Sequence, residues 1–441
     1  MDPSLILMTN VYTWLNKGDA AITISMIKAL RKQWPKTKIW LLSINPSLDS
    51  FRYKKYGSYV APEFFAETLA SKKLKIIKIL EILKTIVQVT FIVALCKLGF
   101  KLQGSFTLQK YFEADIVISS GGGFLNDNFG SFFLLHLFQI FVATLLKKPT
   151  VLCAQSIGPF RNKLGLFLTK IVLKKANLIT LREAISESLL RKAKARSKIF
   201  VTADMAFALS LKENGDFAKK SNQDYLKLPK NFPLVGITVR KWIYPGCVNP
   251  KEKYAEYVET FTQFVNYITD HMNATVIFLP QVIAPREDDR ITALEIAEKV
   301  KNRKKVKVLL GDYSPYQMMH IIKKMDLFVG TRMHSNIFSL IMLVPTIAIS
   351  YEHKTDGMMR MLKLNEWVIP INSLSFKNLK EKVDKAWLRR KEIKKDLHRM
   401  RNVMMRKAKL NITLIKQVWE EYNLKLRESH SHRNFEDTAK K

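Results

Sequence analysis

The sequence predicts an α/β protein built from two doubly wound domains in tandem. Three observations predict it. Short, nearly continuous apolar runs alternate with longer stretches of helical periodicity, the pattern of parallel strands covered on both faces. The alternation breaks once, over the polar stretch 212–233, and then resumes. Finally, 441 residues at 47% hydrophobic and 25% charged exceed one domain and exclude collagenous, low-complexity and wholly disordered chains.

In order along the first half, strands are expected at 5–8, 38–43, 115–119, 150–155, 178–181 and 199–203. Helical stretches at 19–34, 164–176 and 184–195 lie between them. The second half supplies strands at 234–239, 275–280, 306–310, 327–331 and 346–350. The division is therefore 1–211, a linker at 212–233, 234–375, and basic helices with a frayed tail at 376–441. Ligands of such sheets bind at the carboxyl ends of the strands.

Two segments imitate membrane spans. The stretch 128–146 has no Asp, Glu, Lys or Arg, but it follows a glycine turn inside a βαβ pattern and reads as a buried core helix. In the stretch 71–100, Lys75, Lys78, Glu81, Thr85 and Gln88 form a thin polar stripe, and nearly everything else from Leu74 to Leu95 is apolar. Such a helix must bury several faces, in protein or in a lipid interface. The residues after Met1 read as a first strand rather than a leader, lacking a basic region and a cleavage site.

With 73 Lys and Arg against 38 Asp and Glu, the formal charge is +35, which attracts phosphates, acidic sugars, nucleic acid or anionic lipid. Residues 376–409 concentrate it, with 14 basic against 4 acidic side chains, read either as a solvated helix face or as a contact for anionic head groups. Cys96, Cys153 and Cys247 share no paired spacing, so neither a disulfide framework nor a cysteine metal site is expected, and a reducing, cytoplasmic setting fits.

Chemistry-bearing motifs recur at strand ends. Asn16-Lys17-Gly18-Asp19 opens a helix, with Gly18 shaping a turn and Asp19 capping or meeting a ligand hydroxyl. Ser120-Gly121-Gly122-Gly123 through Asp127 lets a ligand approach the backbone, yet it is neither the dinucleotide fingerprint nor a phosphate loop. Gln155-Ser156-Ile157-Gly158-Pro159-Phe160 is a turn, and Arg182-Glu183 with Ser186 follows the next strand. Arg240 ends the first strand of the second half and can fork onto a carboxylate or phosphate. Glu287, Asp288 and Asp289 read as charges opening a helix. In Gly330-Thr331-Arg332-Met333-His334-Ser335, Arg332 and His334 alternate at a strand end, pairing an anion site with a proton donor.

The joint order of these motifs resembles the polysaccharide pyruvyl transferase family, from Asn16 to about Leu364. Asp204-Met205-Ala206-Phe207 and Tyr351-Glu352-His353-Lys354 extend the match, while 10–15 lacks a glycine that many relatives carry. The resemblance implies two Rossmann-like domains facing a cleft, a glycosyltransferase-B-like fold. The first domain would take the acceptor and the second the donor, phosphoenolpyruvate, which is a co-substrate, with no cofactor and no metal. The family's two arginines, histidine and aspartate map onto Arg240, Arg332, His334 and Asp127. His334 would be the general acid and Asp127 would orient or deprotonate an acceptor hydroxyl, with Asn16, Asp19 and the glycines Gly121, Gly122 and Gly123 contacting substrate.

The acceptor implied is a sugar of a polysaccharide or lipid-linked glycan, which gives the basic surface and the 71–100 helix a purpose at the inner face of the cell membrane. Two alternatives stand beside this reading. A nucleotide-sugar glycosyltransferase shares the architecture but not its paired glutamates, since Arg360 stands where the second is needed after Glu352. A nucleic-acid-binding protein fits the charge alone; no recognition motif supports it, and no nucleic acid is expected as a partner.

Overall fold

A computed structural model describes residues 1–126, 130, 132–192, 197–210, 228, 232–285 and 287–439, with side chains through Glu428. The chain forms two compact units. One comprises Met1–Trp14, Ile22–Met205 and Lys407–Lys441, the other Leu15–Ala21 and Ala206–Arg406. The expected linker falls almost entirely outside the described residues.

The first unit runs β1 (Leu5–Val11), α1 (Lys17–Gln33, in this unit from Ile22), β2 (Lys38–Ser43), α2 (Pro46–Tyr53), β3 (Tyr59–Pro62), α3 (Ala66–Ala70), α4 (Lys75–Lys97) and α5 (Phe106–Glu113). It continues with β4 (Ile116–Ser119), α6 (Phe132–Leu145), β5 (Thr150–Gln155), α7 (Lys163–Leu173), β6 (Leu178–Leu181), α8 (Ala184–Lys192) and β7 (Ile199–Val201). The seven strands are parallel, in the order β3-β2-β1-β4-β5-β6-β7. Strand β3 was not expected from sequence: it has four residues and ends in proline, which only an edge strand tolerates. Strands β1, β4, β5 and β6 are buried throughout, which is why their sequences read as unbroken apolar runs.

The second unit runs β8 (Leu234–Thr238), α9 (Pro250–Asp270), β9 (Thr275–Phe278), a hairpin of β10 (Ile283–Ala284) and β11 (Glu287–Asp288), α10 (Asp289–Lys299) and β12 (Val306–Val308). Then come α11 (Pro315–Ile322), β13 (Leu327–Gly330), α12 (Met333–Ile341), β14 (Thr346–Ser350), α13 (His353–Met361), β15 (Val368–Pro370), α14 (Phe376–Leu388) and α15 (Arg390–Ala439). Its sheet is parallel as well, ordered β12-β9-β8-β13-β14-β15. In each sheet the first strand lies beside the fourth, and this reversal of winding is where ligands bind in such folds.

The apolar segments behave differently. Helix α6 is 14 residues long and largely buried, as expected of a core helix. Helix α4 buries Val89 and Val93 and leaves most of its surface exposed, so of the two expected coverings, protein or a lipid interface, protein supplies only one face. At the C-terminus the expected frayed tail is helical backbone to Ala439, because no Gly or Pro interrupts residues 390–439. From Lys407 this helix belongs with the first unit, where Asn411 accepts hydrogen bonds from the hydroxyls of Thr180 (2.5 Å) and Thr202 (2.8 Å).

Candidate active site

In the second unit the neighbours at the reversal are β8 and β13, and each ends in an arginine two residues beyond its last paired position. The Thr331 N–H donates to the Thr238 carbonyl (3.1 Å), which locks the two strand ends together. Arg332, 7% exposed, sends Nε (3.1 Å) and Nη2 (2.5 Å) to the two oxygens of Asp289 and Nη1 (2.9 Å) to Glu287. Arg240 sends Nη2 to the same Glu287 oxygen (2.5 Å). Its guanidinium lies 4.4 Å from the centre of the Tyr351 ring and 5.0 Å from that of Trp242, two rings inclined at 47° to each other.

The acidic run therefore does more than open a helix, correcting the sequence reading. Asp288 is the cap of α10, accepting the Arg290 N–H at 3.0 Å. Asp289 is buried and also accepts the backbone N–H groups of Gln281 (3.1 Å) and Val282 (2.9 Å), so four donors converge on it. Glu287 stands in β11, half-exposed, between two guanidiniums. Burial alone would raise its pKa, but Arg332 and Arg240 hold it below the ordinary glutamate value. Burial would lower the Arg332 pKa, and Asp289 and Glu287 hold it well above the usual arginine range. Three acidic residues in a row, in a chain of +35, were the signal for this network.

Arg332 and His334 do not alternate on a strand. Arg332 is extended at the position before α12, and His334 lies in the first helical turn, so the expected alternation gives way to a strand-to-helix corner. The His334 ring rests on Gly18: a Cβ there would stand 2.0 Å from Nδ1 and 2.3 Å from Cγ. Gly18 is needed for this space, and its φ is not in the left-handed region, so the turn role read from sequence does not apply.

Asn16, rather than Asp19, fills the capping position, its Oδ1 accepting the Gly18 N–H at 3.1 Å. Asp19 is a half-buried residue of the first turn. Lys17, not singled out from sequence, is 1% exposed and ion-paired with Asp312. Gln281, at the end of β9, is equally buried, and its amide oxygen and nitrogen have no partner among the described residues. A buried amide in that state is one a ligand or water completes.

In the first unit the corresponding strand ends are closed by hydrogen bonds. Asn10, at φ +57°, donates from Nδ2 to Ser119 Oγ (3.0 Å) and the His136 carbonyl (3.2 Å). Gln155 donates to Ser119 Oγ (3.3 Å) and to the Ser120 carbonyl. A Cβ on Gly121 would meet the Cys153 and Ala154 carbonyls at 3.2 Å, and one on Gly122 would enter the Phe124 ring at 2.4 Å. The Gly123 carbonyl accepts Asn126 Nδ2 at 2.7 Å. Gly121 and Gly122 thus allow close packing of the turn, and Asp127 lies outside the described residues. Beyond them Arg182 joins Asp204 (2.7 Å) and Ser156 (2.7 Å), while Ser156 and Ser186 donate to Glu183, so three of the sequence motifs form one buried network.

The chain matches the polysaccharide pyruvyl transferase family over residues 16–353. It is 26% identical over 382 residues to the amylovoran biosynthesis protein AmsJ of Erwinia amylovora, covering 84% of this chain and 88% of that one. Among solved structures it is similar to the UDP-GlcNAc 2-epimerase of Neisseria meningitidis bound to UDP-GlcNAc, with TM-score 0.60, 12% identity and 95% and 99% of the two chains covered. It is also similar to the Anabaena protein HepE in complex with UDP-glucose, with TM-score 0.54, 13% identity and coverage of 96% and 99%. At such identities the likeness is one of fold, the GT-B-like pairing of two parallel α/β sheets. The family match over most of the length makes the chain a transferase enzyme, and it belongs to the polysaccharide pyruvyl transferase family.

Proposed function

We propose that the enzyme transfers the pyruvyl group of phosphoenolpyruvate to two hydroxyls of a sugar in a polysaccharide or lipid-linked glycan precursor, forming a cyclic ketal. The observation that carries the donor is the pair of strand-end arginines sharing one half-exposed carboxylate, Glu287. A carboxylate held between two guanidiniums occupies the position an anionic substrate would take. On this reading the donor's carboxylate or phosphate displaces Glu287, while Asp289 keeps Arg332 in place and the Tyr351 and Trp242 rings hold Arg240 through cation–π contact.

The chemistry requires a proton on the donor's methylene carbon, which becomes a methyl group and leaves C2 electron-poor. One sugar hydroxyl adds to C2 and gives up its proton; the second displaces inorganic phosphate and closes the ring. His334, at the start of α12, is the residue we assign as the proton donor. Asp127 is assigned to the acceptor hydroxyl, and Asn16, Asp19 and Gly121–Gly123 remain lower-ranked substrate contacts by family resemblance. Arginine pairing of the leaving phosphate supplies electrostatic stabilisation where charge develops.

The test is thermal unfolding of the full chain with and without phosphoenolpyruvate, followed by phosphate release in the presence of saccharide acceptors. Binding to the folded state raises the midpoint by mass action. The expected rise is lost in Arg240→Met. No rise with phosphoenolpyruvate, alongside a rise with a uridine diphosphate sugar, would replace this donor with a nucleotide sugar.

A further inference from the structure

We propose that helix α4, with α7, docks the first unit onto the surface of an anionic phospholipid bilayer, with α4 lying in the plane of the membrane rather than across it. The proposal is independent of the donor.

Helix α4 has three faces. One packs inward: Ile82, Ile86, Val89 and Val93, at spacings of four, three and four, join the cluster that includes Phe65, Phe138 and Val142. A second is polar, carrying Lys78, Glu81, Thr85 and Gln88. The third consists of Ile76, Leu80, Leu83, Val87 and Phe91, exposed by 61, 59, 53, 67 and 61%. At 3.6 residues per turn the three stripes are roughly a third of a turn apart. A core helix of this composition would be enclosed; here the most apolar 18 residues, of mean hydropathy 2.0, are 11% buried.

Protein already occupies the inner stripe, so crossing a bilayer would mean tearing Val89 and Val93 from the core. The outer stripe can be covered with the fold intact. That is the arrangement of an interfacial helix, one apolar face turned to the acyl boundary and charges close by.

Neighbouring helices extend the surface. Helix α6 packs against both α4 and α7. Along α7, Leu164, Phe167 and Ile171 are 62, 58 and 40% exposed at spacings of three and four. The charges identify the occupant. Residues 71–103 hold seven lysines and one carboxylate, Glu81, which pairs with Lys73. Arg161, Lys163 and Lys174 are exposed around the α7 stripe. Past the end of α4, an open depression of about 530 Å³ is lined by Cys96, Lys101, Leu102, Gln103 and Phe112. Apolar side chains bordered by lysines complement lipid chains beneath anionic head groups, whereas two copies of so basic a face would repel.

The experiment is co-sedimentation of the full chain with phosphatidylcholine vesicles, with and without a third of phosphatidylglycerol. Binding is expected to the anionic vesicles and to weaken as salt is raised. The double substitution Leu83→Glu, Val87→Glu should cut partitioning about tenfold or more, since both side chains leave the bilayer. Its melting temperature should be unchanged, because neither residue touches the core. Phe167→Glu, on the other helix, should weaken binding in the same direction. Failure to sediment with anionic vesicles at low salt would overturn the proposal. So would binding that the double variant leaves intact, which would move the contact to another basic surface such as α14 and α15. A dimer in solution split by the double variant, without vesicle binding, would assign the face to a second copy instead.

Discussion

The two sheets of this protein have the same winding and opposite chemistry at their strand ends. In the first unit the carboxyl ends of β1, β4 and β5 are bridged by neutral side chains and carbonyls, Asn10, Ser119 and Gln155, although Gln155 Oε1 has no partner among the described residues, and the buried Arg182 pairs with Asp204 beside the Glu183 carboxylate. In the second unit two arginines share a half-exposed glutamate, and a buried glutamine amide lacks partners among the described residues. Identical topology therefore does not assign identical tasks. What separates them is the charge at the strand ends, neutral in one sheet and ionic in the other, because a carboxylate shared by two guanidiniums can be exchanged for an anionic ligand.

The sharpest way to break this comparison is to remove one arginine from each network. Arg182→Ala leaves Asp204 buried without its cation and should cost about 3–5 kcal/mol of stability, read by chemical denaturation. Loss of fold without loss of donor affinity in the surviving native fraction is the expected pattern. A change of less than ~1 kcal/mol would mean the network is not the structural clamp described here.

Arg332→Ala should act on the reaction. Asp289 keeps its two backbone donors but is left buried without its cation, so the variant should also lose stability, and the anion position loses half of its charge. A fall of roughly 10²–10³ in kcat/KM for phosphoenolpyruvate is expected, the size found when one preorganised donor to a developing charge is removed. Arg332→Lys should recover little, because an ammonium cannot fork onto Asp289 while also reaching Glu287. Near-normal turnover in either variant would remove Arg332 from the site.

How much of this contrast was legible beforehand depends on the length scale of the cause. The parallel sheets were readable because buried strands such as Thr150–Gln155 leave unbroken apolar runs, and Arg240 and Arg332 were readable because they follow such runs directly. Glu287 and Asp289 were misread because helix-start charges and ion-pair partners have the same local sequence; only the hairpin Ile283–Ala284 with Glu287–Asp288 separates them. Lys17 was missed because a buried lysine is defined by a remote partner, here Asp312. Helix α4 was ambiguous for a related reason. Periodicity shows that several faces are apolar, and only packing shows which one the protein itself covers.

The comparison also extends to pH, through two carboxylates whose pKa values shift in opposite directions. Glu63 is buried in the first unit, its hydrogen-bond donor the neutral amide of Gln139 at 3.3 Å, and burial pushes its pKa from 4.5 up to about 7. The folded state therefore holds a proton that the unfolded chain releases at lower pH. Stability from this group is fully present below about 4.5 and is lost as pH rises through about 7, by ~3 kcal/mol at most. Glu287 is depressed instead, so its contribution is present above the unfolded value and is lost as pH falls through the folded one. Melting curves from pH 4 to 8 should show Glu63→Gln flattening the alkaline decline, while Glu287→Gln should alter only the acid limb. An unchanged slope in Glu63→Gln would mean that this carboxyl is solvated in the folded state.

The smallest change tests the proton donor. Gly18→Ala adds one methyl group where the His334 ring now lies, 2.0 Å from Nδ1, so the imidazole must move. The methyl would also stand 2.7 Å from His334 Cβ, so ring rotation alone cannot make room, and the melting temperature should fall despite the roughly 0.5–1 kcal/mol by which a helix favours alanine over glycine. Arg240 and Arg332 are not touched, so the KM for phosphoenolpyruvate should stay close to that of the native chain. If His334 protonates the methylene carbon, displacing it should lower kcat by about tenfold or more, short of the 10²–10⁴ that a general acid contributes in full. His334→Gln should then show the larger loss with the same unchanged KM. A Gly18→Ala enzyme with native kcat would leave the ring's position irrelevant to catalysis, and the proton would have to come from another group.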